Sequence, residues 1–123
     1  MSDDAIPAAT LIVVRDRADG PPDLLMVERA EGMAFAAGAL VFPGGRIDES
    51  DRQLSARIGV EPAAIAAIRE TIEETAVPVG LAPMPEERVA VEIQQSLIVD
   101  EPFAQLLDRC GSRIDTEALT PFA

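Results

Sequence analysis

A chain of 123 residues with 48% apolar side chains has material for one modest hydrophobic core, and so for one domain. Its 22 acidic and 10 basic residues give a formal charge of −12, which repels nucleic-acid backbones and anionic membranes and argues against polymeric DNA or RNA as a partner. The absence of histidine excludes imidazole metal sites, Ser-His triads and histidine phosphorelays, and the single cysteine, Cys110, excludes an internal disulfide.

In chain order, the N-terminus lacks the basic-then-apolar pattern of a secretion signal and no stretch reaches the length of a membrane span, so a cytoplasmic location without membrane contact is expected. The β-branched run from Thr10 to Arg15 predicts a buried strand, and Leu24 to Arg29 predicts a second. Asp19-Gly20-Pro21-Pro22 between them supplies turn chemistry, so a hairpin is the simplest connection. Ala39 to Phe42 predicts a short third strand that runs into a glycine-rich turn, Phe42-Pro43-Gly44-Gly45-Arg46.

A helix is predicted from about Pro62, a residue favoured in a first helical turn. At about 100° per residue, Glu70, Glu73 and Glu74 share one side of it and Ile65, Ile68 and Ile72 another, which separates carboxylates from core. Like charges at this spacing repel by a few tenths of a kcal/mol per pair, about 0.2–0.5, so something positive should offset them. Mg²⁺ or Mn²⁺ takes oxygen ligands, keeps several waters and shares one or two carboxylates with substrate phosphates. A solvated acidic face is the bland alternative, against which stand Arg69 beside the cluster and the Gly-Gly segment upstream. The pattern points to metal-assisted phosphoanhydride chemistry.

Pro85 to Val99 fits a helix through Val89, Ile93 and Leu97 and a strand through Val89, Val91 and Ile93; its length and Glu86-Glu87 start favour the helix. A final helix carries Phe103, Leu106, Leu107 and Cys110 as its apolar stripe, with Asp100 as the expected cap, Pro102 in the first turn and Gly111 as the stop. Cys110 is read there as a small core residue and not as a nucleophile. With no Tyr or Trp, a base could stack only on Phe35, Phe42, Phe103, Phe122 or aliphatic side chains.

At the acidic helix the sequence resembles the Nudix hydrolases, whose box reads G-x5-E-x7-R-E-U-x-E-E-x-G-U with U apolar. Arg69-Glu70, Glu73-Glu74 and Val77 match it, and Glu61, with seven residues between it and Arg69, is taken as its first glutamate and as the partner of Arg69. On that alignment 15 residues separate Gly45 from Glu61 where the box has five, as in the split-box subgroup that includes peroxisomal coenzyme A diphosphatases. Loop-closure cost rises slowly enough with length to allow this. Thr71 stands where the box has an apolar residue, and Ala76 where it has the glycine that ends the helix. Leu25 to Ala30, Gly38 and Phe42 to Gly45 resemble the coenzyme A pattern L-L-T-x-R-[SA]-x3-R-x3-G-x3-F-P-G-G, with Ala34 in place of its second arginine.

The resemblance implies an α+β or α/β fold, a Nudix-like α/β/α sandwich around a mixed sheet, with residues 1–123 forming one domain that lacks the family's C-terminal part. A second copy could then complete the sheet. It implies one to three Mg²⁺ or Mn²⁺ ions on Glu70, Glu73, Glu74 and the Gly45 carbonyl, with Arg69 orienting the carboxylates and Glu73 as the chosen proton acceptor. Gly44, Gly45 and Arg29 would face the phosphates. The substrate would be a small nucleoside diphosphate linked to another moiety, with coenzyme A or an acyl derivative leading and ADP-ribose, a dinucleotide or a nucleotide sugar following. A non-catalytic nucleotide-binding or protein-interaction module is the alternative.

Overall fold

The computed structural model describes residues 7–28 and 38–121. Its strands are β1 (Ala8–Thr10), β2 (Val14–Arg15), β3 (Asp23–Leu24), β4 (Val27–Glu28), β5 (Leu40–Val41), β6 (Gly44–Arg46), β7 (Leu81–Ala82) and β8 (Arg113–Ile114), and its helices are α1 (Glu49–Ile58), α2 (Pro62–Thr75), α3 (Glu87–Ile98) and α4 (Phe103–Cys110). The expected α+β class holds. Among the described residues the strands pair as antiparallel couples: β1 with β6, β2 with β3, β4 with β5 and β7 with β8.

The expected hairpin forms between β2 and β3, with Val14 opposite Leu24 and an Arg15–Asp23 ion pair at 2.8 Å. The run from Thr10 to Arg15 is not one strand, because its partner changes along it. β1 pairs with β6, the Leu11 N–H donates to the Pro43 carbonyl at 2.9 Å, and β2 then turns to β3. Pro43 accepts that bond but has no N–H to return, so the ladder stops there. The run from Leu24 divides likewise between β3 and β4, and Arg29 lies outside the described residues.

The expected Gly-Gly turn is instead part of a strand. Ala9 lies opposite Gly45 and Thr10 opposite Gly44. The two chains approach so closely that a Cβ on Gly44 would overlap the Ala9 carbonyl and lie 2.8 Å from the Thr10 Cα. Here glycine serves close approach of two strands and not a tight reversal.

α1 was not among the predicted elements, since its signals lie in its ends. Asp48 caps it with an extended backbone, its side chain accepting from the Asp51 N–H while Asp51 accepts from the Asp48 N–H. Gly59, at φ 75°, ends it. α2 begins with Pro62 at its first turn as expected, and Ile65, Ile68 and Ile72 are all 0% exposed. Burying each contributes about 1.5–3 kcal/mol. Leu54 of α1, Ile93 and Leu97 of α3, and Phe103 and Leu106 of α4 join them in one core. The helical reading of Pro85 to Val99 is correct, whereas Asp100 does not cap α4: Pro102 holds that position, and Asp100 takes φ 66° just after α3. No helix among the described residues is long and apolar enough to cross a membrane.

Candidate functional site

An antiparallel ladder turns alternate residues toward and away from the partner strand. Hydrogen bonds from Leu11 to Pro43 and from Ile47 to Pro7 set the phase, which makes Ala9 and Gly45 a hydrogen-bonded pair and turns Gly44 and Arg46 outward. Side chains of α2 meet both outward groups. The Gly44 N–H donates to Glu74 Oε1 at 3.0 Å, and the Arg46 carbonyl accepts from Arg69 Nη2 at 3.1 Å. Gly45 leaves room for Glu70 between them, since a Cβ there would lie 2.5 Å from Glu70 Cδ. The glycines thus let the acidic face of α2 lie directly on the strand.

Arg69 fixes the other side of the cluster. It is buried, with Nε donating to Asp51 Oδ1 at 2.9 Å and Nη2 to Asp51 Oδ2 at 2.8 Å, a bidentate pair with an aspartate that is 1% exposed. Nη1 is left to face Glu70 Oε2 at 3.6 Å and Glu73 Oε1 at 3.9 Å. Burial pulls the Arg69 pKa down, but the hydrogen bonds and charge of Asp51 more than reverse this and leave it raised.

The partner of Arg69 is therefore Asp51 and not Glu61. Glu61 is exposed at the N-cap position of α2, where its side chain makes no capping bond. Five residues separate Gly45 from Asp51, the spacing of the first half of the box with aspartate in place of glutamate. The extra residues fall after this acid, between Asp51 and Arg69, and form the body of α1 and the link to α2. The spacing from Gly45 was the available signal.

Burial raises the pKa of Glu70; Arg69 opposes the shift, and Glu73 and Glu74 reinforce it. Glu73 is also raised, first by burial, with Arg69 opposing and Asp100 and Glu74 adding repulsion. The single guanidinium does not balance the cluster. Among the described residues no three His, Cys, Asp or Glu side chains converge as a preformed metal cage. Glu70 lies against Gly45, Glu74 is held by Gly44, and Glu73 is about one-third exposed at 34%. Carboxylate oxygens with uncompensated charge on an open face fit a hard divalent cation that keeps waters and shares its ligands with phosphate. The Gly45 carbonyl faces β1, so the carboxylates carry that fit.

A groove of about 570 Å³ opens beside this face, lined by β1, Val27 and Glu28 of β4, Val41, Phe42, Gly44, Gly45 and Glu74. Gly44, Gly45 and Glu74 thus meet at one cavity. Thr71, the unusual residue of the box, is fully buried and satisfied by donating to the Ala67 carbonyl at 2.7 Å. Cys110 is half-buried against the core and lines a separate groove with α3 residues.

No protein-family model matches the chain. It is similar to curated proteins described as uncharacterized Nudix hydrolases NudL. One from Citrobacter koseri is 42% identical over 71 residues, which are 58% of this chain and 31% of that protein. One from Klebsiella aerogenes is 39% identical over 71 residues, 58% of this chain and 50% of that protein. The match therefore spans between about a third and a half of these relatives' length. Among solved structures, a NUDIX hydrolase from Alicyclobacillus acidocaldarius superposes with a TM-score of 0.68 at 28% identity, covering 91% of this chain and 57% of that one.

Proposed function

We propose that this chain, which is similar to Nudix hydrolases in sequence and in fold, hydrolyses a nucleoside diphosphate linked to another moiety, in the groove beside the acidic face of α2. The observation that carries this is the contact of that face with the groove: Glu74 lines it while bonded to the Gly44 N–H, and Glu70 packs against Gly45 of its lining. Glu70, Glu73 and Glu74 would hold Mg²⁺ or Mn²⁺. When bound, such an ion neutralises the diphosphate and polarises it toward attack by water.

The chain's own residues do the rest. Arg69, locked by Asp51 and the Arg46 carbonyl, keeps Nη1 toward Glu70 and Glu73 and so sets their spacing. Glu73 takes the proton of the attacking water: of the two carboxyls with raised pKa values, the direction a general base requires, its side chain is the more exposed, 34% against 20% for Glu70. Val27, Val41 and Phe42 give the groove an apolar wall for a nucleoside or acyl portion, while Glu28 and Glu74 disfavour a bare anion. Coenzyme A or an acyl derivative is the leading substrate, in keeping with the Phe42 to Gly45 pattern.

The test is hydrolysis of coenzyme A, ADP-ribose and NADH with Mg²⁺ or Mn²⁺, alongside Glu74→Gln. Metal-dependent cleavage of the diphosphate, releasing AMP from ADP-ribose or NADH and adenosine 3′,5′-bisphosphate from coenzyme A, is expected, reduced at least about 100-fold in the variant without loss of fold. Full activity of Glu74→Gln would remove that carboxylate from the site. Nucleotide binding without turnover would make the chain a binding module.

A further inference from the structure

The capping box of α1 does more than begin a helix. Asp48 Oδ1 accepts from the Asp51 N–H at 3.1 Å and from the Ser50 hydroxyl at 2.7 Å, while its other oxygen lies 3.4 Å from Arg69 Nη2. Asp51 reciprocates, its Oδ2 taking both the Asp48 N–H at 3.0 Å and Arg69 Nη2 at 2.8 Å. The two aspartates that cap α1 are thus the two that grip Arg69. With the Arg46 carbonyl they occupy Nε and Nη2, leaving only Nη1 for Glu70 and Glu73.

We infer that Asp48 is a positioning residue, which with Asp51 aims the Arg69 guanidinium so that only Nη1 offsets the Glu70–Glu73 pair and the carboxylates keep the negative charge that binds a cation. The inference rests on the metal-dependent reading above. Asp51 is buried and holds the guanidinium by two bonds; Asp48, with its side chain 53% exposed, supplies charge against the outer edge of Nη2. Without that charge, more of the arginine's field falls on Glu70 and Glu73, and the site attracts a divalent cation less strongly. The Ser50 hydroxyl holds the Asp48 carboxylate in place.

Asp48→Asn separates this role from capping, because asparagine caps a helix about as well as aspartate and keeps an oxygen for the Asp51 and Ser50 donors. Mn²⁺ is titrated into the substrate-free protein, and kcat and KM are measured separately. Asp48→Asn should bind Mn²⁺ about threefold more weakly and lose kcat at unchanged KM, with a melting temperature within about 2 °C of the parent. Glu49→Gln removes the same charge from the neighbouring exposed position, outside the Arg69 contacts, and should match the parent.

Equal Mn²⁺ affinity in Asp48→Asn and the parent, or equal weakening in Glu49→Gln, would overturn the inference: the first denies any effect and the second reduces it to net charge. If Asp48→Asn unfolds, Asp48→Ser, which retains a capping oxygen without the charge, carries the same comparison. A parent protein that binds no Mn²⁺ would overturn the metal reading and this inference with it. A parent that binds Mn²⁺ and turns over substrate while Asp48→Asn is unchanged overturns the inference alone.

Discussion

Ala76 ends α2 in a left-handed conformation, φ 61° and ψ 19°, its N–H donating to the Ile72 carbonyl at 2.8 Å. A Cβ is disfavoured there by about 1 kcal/mol, and glycine carries no such cost. Ala76→Gly should therefore raise stability in spite of its added unfolded-state entropy; chemical denaturation should show a gain of about 0.5–1 kcal/mol, and a loss would mean that the methyl packs usefully. This cost was legible from the sequence, because alanine stands where the Nudix box that the sequence resembles has glycine. The three glutamates and the isoleucine stripe were legible for a different reason: helical periodicity alone separates them by face. Glycine's role at Gly45 was not. A turn and a close-packed strand demand the same residue, and only the presence of Glu70 above it decides between them.

The insertion that lengthens the box is an element in its own right, and its placement determines what holds Arg69. A buried ion pair that loses one partner leaves an uncompensated charge in the interior, at a cost of about 3–5 kcal/mol. Asp51→Asn should thus lower unfolding free energy by about 3 kcal/mol, moderated by the Arg46 carbonyl and Asp48 that remain on Arg69. Glu61→Gln should change it by no more than about 0.5 kcal/mol, as expected for an exposed side chain that makes no capping bond and has no side-chain partner among the described residues. Urea unfolding of the two variants distinguishes the alignments directly; a large effect at Glu61 with none at Asp51 would restore the one read from the sequence. α1 escaped sequence reasoning because only Leu54 and Asp51 of it are buried, so it shows little apolar period, and its definition comes from Asp48, Asp51 and Gly59 at its ends. The strands were read too long for a complementary reason. Hydrophobic pattern shows which residues extend but not where a partner strand is exchanged for another.

At the scale of the molecule, charge and site act in the same direction. A chain of net charge −12 loses stability to self-repulsion as its carboxyls ionise, and the acidic face of α2 concentrates that effect where burial has already raised Glu70 and Glu73. The sign follows from proton binding: a carboxyl with a raised folded pKa holds its proton longer in the folded chain than in the unfolded one. Stability from these two groups is therefore present below the ordinary glutamate pKa and is lost as pH rises through their raised values. At Asp48 burial alone would raise the pKa, but the Ser50 and Asp51 hydrogen bonds and Arg69 lower it. Its contribution is present above the ordinary aspartate pKa and is lost as pH falls through its lowered folded value. In chelator the melting temperature should fall as pH rises above the ordinary glutamate range, and Mn²⁺ should flatten that fall by favouring the ionised carboxylates. General self-repulsion gives a slope of the same sign, so the measurement belongs at about 1 M salt, where the Debye length is about 3 Å and exposed charges are screened while the half-buried cluster is much less so. Glu70→Gln should then flatten the chelated curve and reduce the effect of Mn²⁺. Parallel curves with and without Mn²⁺ in the parent would separate the cluster from cation binding.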